Sequence, residues 1–537
     1  MGIIETTLGL LLAVALVGAI GKWLPVPLPI LQVGAGIALS YFPVFGALRV
    51  PPEVFFLLFI PPLLFADAWK IPKRDLIAVL RPVLMLAFGL VLLTVAAVGY
   101  LLHWFLPEMP LAAAFALGAA ISPTDAVAVS AVTSRLRIPA RVTMIINGES
   151  LINDASGLVA FRFALAAAAT GAFSWSQAAT EFFVLSGGGL LLGLAVAWTI
   201  GRLRAHLARF CIDDPTIQTV ISILTPYAAY LASEKLGLGS ILAVVAAGLY
   251  AGVDDTRHLD APTRTHAWEV WQMLTYAFNG LVFLLLGVQL HSVIAGIPHA
   301  SAFGLALLAV AVSAVVIVLR VAWVFPAAYL PLLFSRRIRE REGIHDPRSV
   351  FLVGWAGIRG SVTLAAALSV PLVTAAGTPF AYRELIILLA ASVIVVTLVV
   401  NALTLPWLIR WLHIRGDGIA EREERAARLA TAQAAATAIR QQLPRLSNAG
   451  ERAYATGLIA QYERQAQRHS ANAERRRHVD AVRDAERQLR LTALRAERAE
   501  LMQLRETDII NDEVLRTLQS ELDHAESLVA GPGGRRE

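Results

Sequence analysis

Thirteen apolar stretches of roughly bilayer-spanning length occupy the first three quarters of this chain, and they constrain its fold more than any other feature. An α-helix needs roughly 20 mostly apolar residues to cross the hydrocarbon core of a bilayer. Hydrophobic residues make up 57% of the 537 residues and charged residues only 16%, whereas soluble proteins average roughly 25% charged residues. A soluble fold could not cover so much apolar side chain, so we predict an all-α integral membrane protein. Because a few of these runs are short or are broken by Pro and Gly, a count of twelve or fourteen spans is the alternative. The predicted spans are residues 3–22, 25–42, 51–69, 82–106, 111–132, 140–169, 179–201, 215–233, 237–252, 268–290, 301–333, 349–374 and 384–412.

The C-terminal segment, residues 415–537, has a different composition, with 21 Arg, no Lys and 20 Asp plus Glu. Dense charge of both signs among many Ala, Leu and Gln residues predicts solvated helices with salt-bridged faces. We therefore predict a membrane domain at residues 1–414 and a cytoplasmic, charged α-helical tail at residues 415–537. The tail composition leaves pH sensing, lipid binding and pairing of tails across a dimer open. Nucleic-acid binding needs charge of one sign, so no nucleic-acid partner is expected.

The basic residues predict the orientation of the chain in the membrane. One set of alternate loops between the predicted spans holds eighteen Lys and Arg residues, and the other set holds three. Basic residues concentrate in cytoplasmic loops. The N-terminus is therefore predicted outside and the tail in the cytoplasm, with the chain in the cell (inner) membrane. The first span lacks a basic leading segment and a small-residue cleavage site, so we interpret it as a retained span.

The fifth span contains a polar interruption, "ALGAAISPTDAVAVSAV". Pro123 lacks a backbone N–H and disfavours helix for the residue before it. Thr124 and Asp125 are good N-caps for a helix that restarts at Ala126. Because the interruption falls in mid-span, we predict a broken helix whose freed backbone groups line a cavity. A simple proline kink with Asp125 bonded locally is the alternative.

The sixth span carries a polar stripe in "MIINGESLINDASGLVAFRFALA". Ser150, Asn153, Asp154 and Gly157 recur at helical intervals on one face, with Glu149 beside them. Charged groups in mid-bilayer are costly and usually face a functional cavity. Carboxylate, amide and hydroxyl oxygens suit a small hard cation. A helix that only hydrogen-bonds its neighbours is the alternative.

Two further intramembrane charges are arginines, Arg320 and Arg359. Arg359 lies between Gly357 and Gly360 in "VGWAGIRGSVTLAAALSVP", and glycines permit close approach of another backbone. A buried guanidinium needs a carboxylate or helix C-terminal carbonyls, so Arg320 or Arg359 is expected to pair with Glu149. The alternative for Arg359 is an arginine that snorkels to the cytoplasmic face.

The motifs "SPTDAVAV", "GESLINDA" and "GIRGSVTLA", in this order, resemble the monovalent cation/proton antiporters, in the branch of NhaP-like bacterial exchangers and eukaryotic sodium/proton exchangers. "PPEVFFLLFIPPLLF" and "FLLLGVQL" fit the same family, and the resemblance covers about residues 5–412. It implies an NhaA-like fold with two inverted repeats, a dimerisation domain and a core domain holding two crossing broken helices. By that likeness the fifth and twelfth spans are the broken helices, and the protein is a homodimer.

The resemblance also implies roles for single residues. Asp154 would bind both the transported metal ion, Na⁺, and the proton. In many relatives an acidic residue directly follows "PPLLF", but here Ala66 holds that place and Asp67 comes one later. One residue turns a helix by about 100°, so the sequence does not assign Asp67 to the site. The implied binding set is Asp154, Asn153, Ser150, Thr124 and Asp125, with Asn153 bracing the crossing, Asp125 and Arg359 neutralising half-helix dipoles, and Glu149 paired with Arg320.

The resulting hypothesis is antiport by competition, in which one carboxylate binds either a proton or a cation and is presented to either side of the membrane in turn. Exchange of Na⁺, or of Li⁺ or K⁺, for H⁺ would serve pH and sodium homeostasis. The Asn153–Asp154 pair has one carboxylate where electrogenic relatives have two, so exchange is expected to be electroneutral. No cofactor and no enzymatic activity are expected. A cation channel, an organic-solute symporter on the same fold, and an intramembrane hydrolase using Asp125 and Asp154 are the alternatives.

Overall fold

The structure, a computed structural model, separates the chain into two compact units, residues 1–417 and 418–537. Each unit is treated by itself below. Every regular element within the described residues is helical. The described residues are 2–24, 26–46, 51–133, 136, 138–170, 175–210, 214–295, 302–342, 345–371, 380, 382–414, 416, 418–470, 473–507 and 509–530.

The first unit is a bundle of helices that share one apolar core. A π-helical segment, Met85–Leu90, joins its sixth and seventh helices. In chain order the helices are α1 (Gly2–Ile20), α2 (Leu28–Ser40), α3 (Pro43–Gly46), α4 (Pro52–Lys70), α5 (Lys73–Ala78), α6 (Leu80–Leu84), α7 (Val91–Phe105), α8 (Leu111–Ala120), α9 (Ala126–Thr133), α10 (Ala140–Thr170), α11 (Trp175–Arg209), α12 (Pro215–Lys235), α13 (Ser240–His258), α14 (Ala261–Ala295), α15 (Ala302–Phe334), α16 (Arg336–Glu342), α17 (Pro347–Trp355), α18 (Ser361–Leu368) and α19 (Arg383–Trp411).

The helices of this unit are those of a multi-pass membrane protein. Each predicted span overlaps one helix, one interrupted pair of helices or, at residues 82–106, two helices joined by the π-helical segment. The number that cross the bilayer stays a prediction, because several of these helices are short. Among the described residues, six segments are by themselves long and apolar enough to cross a membrane: 80–105, 140–168, 183–208, 261–290, 303–334 and 383–411.

Two spans are interrupted rather than merely kinked. The first stops at Ala120 and restarts at Ala126, around Pro123, and the second stops at Trp355 and restarts at Ser361. The two breaks meet, because the Asp125 backbone N–H donates to the Ile358 carbonyl at 2.8 Å. The predicted break at Pro123 is confirmed and the simple kink is wrong, since the backbone here is not helical and bonds to the other break instead of continuing its own helix.

Small residues allow the helices around the breaks to pack closely. Ala113, Ala116 and Ala120 of α8 are buried, and α8 packs between α7 and α10. A Cβ on Gly118 would lie 2.9 Å from the Val95 backbone, too close for any other residue without a shift. The α8 backbone is therefore held close to α7, which fixes the position of the first break.

The second unit consists of two helical hairpins. Helices α20 (Ile419–Gln442) and α21 (Ala449–Ser470) pack together, as do α22 (Ala473–Glu506) and α23 (Asp512–Ala530). A short 3₁₀ segment, Leu443–Arg445, follows α20. Salt bridges cross both hairpins: Arg440 pairs with Glu463, and Arg498 lies 2.7 Å from Glu526. Charge of both signs thus stabilises contacts within the unit, as its composition predicts.

Candidate functional site: a cavity at the meeting point of two helix breaks

A small cavity lies where the two helix breaks meet α4, α10 and α14. Its wall is half apolar, with Ile60 and Leu64 of α4 on one side. The polar groups come from five separate segments of the chain, so only the folded bundle brings them together. They are Asp67, Thr124, Asp125, Ser150, Asp154, Asn279, Ser361 and Thr363.

The first break is held open by two side chains of α10. Asn153 Nδ2 donates to Thr124 Oγ1 at 2.8 Å. Ser150 Oγ donates to the Thr124 carbonyl at 2.8 Å and accepts from the Ala126 N–H at 3.2 Å. A broken helix exposes backbone groups that must find partners. The polar stripe on α10 supplies those partners, so Asn153 and Ser150 brace the break.

Asp125 lies at the start of two half-helices at once. Its Oδ1 accepts from the backbone N–H groups of Val127 at 2.9 Å and Ala128 at 3.1 Å, which makes it the N-cap of α9. Its Oδ2 lies against the start of α18, 1.8 Å from where a Cβ on Gly360 would stand. A carboxylate at a helix N-terminus is stabilised by the orphan N–H groups and by the helix dipole.

Arg359 faces the C-terminal end of a half-helix, whereas Asp125 caps an N-terminal end. Its side chain is 0% exposed, and Nε donates to the Ile121 carbonyl at the C-terminal end of α8 at 2.8 Å. Thr397 and Asn401 of α19 hold the second break, through the Arg359 N–H at 3.2 Å and the Gly357 carbonyl at 3.3 Å. The snorkelling alternative for Arg359 is wrong, because the side chain turns inward to carbonyl groups.

Arg320 and Glu149 form a buried ion pair. Arg320 Nη2 donates to Glu149 Oε2 at 2.7 Å, and Nη1 donates to Oε1. The same guanidinium donates to the carbonyls of Val353 at 3.1 Å and Gly354 at 3.0 Å, in the last turn of α17. Arg320 therefore links α10 to the first half of the second broken helix. Arg162, which the structure leaves half exposed, lies 3.7 Å from Glu234 at the end of α12.

Asp154 differs from its polar neighbours because it is not used to hold the fold. It is 4% exposed, and within the described residues its Oδ1 is buried without a hydrogen-bond partner. Asp125 Oδ2 and Thr363 Oγ1, which belong to residues lining the same cavity, are also without partners there. A buried carboxylate oxygen with no donor is unstable as a bare charge. Asp154 can be stabilised by a proton or by a bound cation, and these two would compete.

The structure adds cavity residues that the sequence reasoning missed or set aside. Asp67 lines the cavity although it is one residue from the place that the resemblance marks. The offset of about 100° counted from an ideal helix therefore does not keep this side chain out of the cavity. Asn279 of α14 also lines the cavity. Its only sequence signal is one amide in a long apolar run.

Comparisons with known proteins agree with this geometry. The family model described as "Sodium/hydrogen exchanger, transmembrane" matches residues 10–411. The chain is 38% identical to the "Uncharacterized Na(+)/H(+) exchanger YjcE" of Escherichia coli K12, over 98% of this chain and 99% of that protein. It is 37% identical to the "Sodium, potassium, lithium and rubidium/H(+) antiporter" of Bacillus subtilis 168, over 99% of this chain and 79% of that protein.

A solved structure shares the fold. The sodium proton antiporter MjNhaP1 of Methanocaldococcus jannaschii superposes with a TM-score of 0.59 at 21% identity, covering 76% of this chain and 97% of that one. The relatives are cation/proton transporters rather than enzymes, so the hydrolase alternative is wrong. The extent of the family match and of these identities shows that the chain belongs to the transmembrane sodium/hydrogen exchangers.

Proposed function

We propose that the first unit exchanges a proton for a monovalent cation on Asp154 by alternating access. The observation that carries the proposal is the buried, unpartnered Asp154 oxygen in a cavity shared by two helix breaks. A proton or a cation satisfies that oxygen, and either loaded form hides the charge from the membrane interior. Movement of the broken helices past α4 and α14 would present the site to each side in turn.

The transported cation is proposed to be Na⁺, with Li⁺ and K⁺ as further substrates. Ser150, Thr124 and Asp125 line the same cavity as Asp154 and carry hydroxyl, carbonyl and carboxylate oxygens, and hard oxygens suit alkali cations. The name of the B. subtilis relative includes all three of these cations. A broad cation range is therefore part of the proposal.

The wider architecture is proposed to follow the family. It comprises thirteen spans in two inverted repeats, with the N-terminus outside and the charged tail in the cytoplasm. Two copies would associate as a homodimer in the cell (inner) membrane, surrounded by lipid. There the exchanger would serve pH and sodium homeostasis, and the second unit would regulate it.

Electroneutral 1:1 exchange is the proposed stoichiometry. Asn153 precedes Asp154, so this stripe offers one carboxylate for the proton and the cation to share. Asp67 is the rival, because it lines the same cavity. If both carboxylates released protons for each cation, transport would move net charge.

The first test is cation-driven collapse of a pH gradient in proteoliposomes, with Na⁺, Li⁺ and K⁺ added in turn. Wild type is expected to respond, and Asp154→Asn is expected to lose at least about 99% of the rate, because an amide cannot exchange a proton. Asp75→Asn is the matched control, since Asp75 is exposed on α5, and it should transport normally. Equal activity of Asp154→Asn and wild type would refute the assignment.

The second measurement separates the stoichiometries and the alternatives. With the membrane voltage clamped at several values, an electroneutral exchanger keeps the same rate. A rate that depends on voltage in wild type would overturn 1:1 exchange. If the rate of Asp67→Asn does not depend on voltage, Asp67 is the second proton carrier. Cation flux without any proton movement would instead identify a channel.

A further inference from the structure

A second cavity lies at the ends of α4, α13 and α14, on the face that the basic loops assign to the cytoplasm. Basic side chains converge on it from three separate chain segments. Two tryptophans form part of the same wall, at the depth where the helices leave the predicted membrane. The basic residues are Lys70, Lys73, Arg257 and Arg264, and the tryptophans are Trp69 and Trp268.

The positive charge of this cavity is unbalanced. Its acidic residue, Asp255, already accepts from Arg204 at 2.8 Å and from Trp69 Nε1 at 3.0 Å. Lys73 donates to the Trp69 carbonyl at 2.7 Å and Lys70 to Thr275 Oγ1 at 3.3 Å, and both acceptors are uncharged. Across the described part of the chain, no carboxylate forms an ion pair with the four basic side chains. The cavity therefore offers cationic groups that an anion could satisfy.

The aromatic wall indicates which kind of anion fits. Trp268 is 44% exposed, its ring lies 5.6 Å from that of Trp69, and the Lys70 ammonium lies 5.8 Å from its centroid. Tryptophan is favoured at the membrane–water interface, and basic pockets between membrane helices on the cytoplasmic side bind anionic headgroups. Cations beside an exposed indole match a phosphate attached to a glycerol and acyl chains better than a free phosphate ion.

The wall of the cavity is also preorganised. The Trp69 indole is fixed by Asp255, which Arg204 holds in turn. A Cβ on Gly252 would lie 2.1 Å from Lys73 Nζ and 2.4 Å from the Trp69 carbonyl oxygen, so glycine lets α13 approach the lysine. Little ordering is then needed when a ligand binds, which favours affinity.

We propose that this pocket binds the phosphate of an anionic phospholipid from the cytoplasmic leaflet, with Lys73 and Arg257 facing the phosphate and Trp268 facing the glycerol and acyl region. The site is separate from the exchange cavity and does not depend on the transport mechanism. The alternative is that these basic residues only orient the chain in the membrane. In that case the pocket would show no preference for anionic over uncharged phospholipids.

The test is native mass spectrometry of the full-length protein titrated with phosphatidylglycerol or with phosphatidylcholine of the same chains. Wild type is expected to bind phosphatidylglycerol preferentially. Removing a direct charge-assisted contact with the phosphate costs about tenfold or more in affinity, so Lys73→Gln/Arg257→Gln should weaken phosphatidylglycerol binding at least about tenfold. Phosphatidylcholine binding should be unchanged in the same variant.

Matched variants distinguish a site from general charge. Arg336→Gln/Arg337→Gln removes the same charge from the exposed face of α16 and should keep the preference, and Lys73→Arg should also keep it. An equal loss in both double variants, or no preference in wild type, would overturn the proposal. Inorganic phosphate at millimolar concentration is the last probe. If it displaces phosphatidylglycerol from wild type, and this effect is absent in Lys73→Gln/Arg257→Gln, free phosphate is the ligand and the lipid assignment is overturned.

Discussion

At the residue scale, three buried charges around the exchange cavity, those of Arg359, Arg320 and Asp125, face the end of a half-helix that carries the opposite partial charge. Arg359 meets the Ile121 carbonyl, and Arg320 meets the carbonyls of Val353 and Gly354. Asp125 instead accepts from N–H groups at the start of α9 and lies against Gly360 at the start of α18. Helix ends have unsatisfied groups and a dipole. The charges therefore stabilise the breaks, which leaves Asp154 free for chemistry.

The ion pair between Glu149 and Arg320 gives a prediction at this scale. In Glu149→Gln the arginine stays buried without a counter-charge, and breaking a buried pair typically costs about 3–5 kcal/mol. We expect the thermal unfolding temperature in detergent to fall markedly. Unfolding of Glu149→Gln by chemical denaturant measures the same loss of stability.

A double variant provides the control. Glu149→Gln/Arg320→Met removes both charges, so its loss of stability should be smaller than the sum of the two single losses. Strictly additive losses would show that the two side chains do not interact, and the ion pair would then have no structural role.

At the element scale, the meeting of the two breaks depends on a glycine. A Cβ on Gly360 would lie 1.8 Å from Asp125 Oδ2 and 2.5 Å from its Cβ. No other residue permits α18 to start so close to α9. Proline and glycine in mid-span were visible in the sequence. The meeting of the two breaks was implied only by the family resemblance and could not be derived from local pattern, because it joins segments more than 230 residues apart.

We therefore expect Gly360→Ala to separate the two breaks, because the added methyl group displaces the Asp125 carboxylate. Transport in proteoliposomes should fall at least about tenfold, with lower thermal stability. Gly34→Ala is the control, since an added Cβ there meets nothing within 4 Å. Normal transport by Gly360→Ala would contradict the packing argument.

At the scale of the whole first unit, a charged cluster joins helices that come from distant parts of the chain. Glu342, at the end of α16, accepts from Arg81 at 2.8 Å and from Arg141 at 2.9 Å. His345 Nε2 lies 3.5 Å from the same carboxylate. Burial, and next the charge of Arg141, lowers the pKa of His345 below its ordinary value of 6.5. Protonation of His345 is therefore harder in the folded protein than in the unfolded chain.

This shift predicts a pH dependence of stability. Above about pH 6.5 the histidine is neutral in both states and contributes no difference. As the pH falls below that value, the unfolded chain takes up the proton more readily, so the folded protein loses stability. Wild type should lose more thermal stability between pH 7.5 and 5.5 than His345→Gln does.

A second group in the cluster titrates outside that range. Burial raises the pKa of Glu342, but the hydrogen bonds and charges of Arg81 and Arg141 together outweigh burial and leave that pKa below its ordinary value of 4.5. The carboxylate therefore stays charged between pH 5.5 and 7.5. An equal loss of stability in wild type and His345→Gln would show that the histidine does not contribute.

The sequence by itself determined the membrane character, the helix type, the break at Pro123 and the polar stripe that carries Asp154. These follow from local chemistry, since apolar length, proline and 3.6-residue spacing act within one helix. The residues alone left open which arginine meets Glu149, although the resemblance implied Arg320. Only the tertiary structure decided that Arg359 turns inward to the Ile121 carbonyl and that Asp67 and Asn279 join the cavity. Each of these depends on which faces of distant helices meet. A single Asn in α14 or Asp in α4 carries no pattern that could indicate its neighbours.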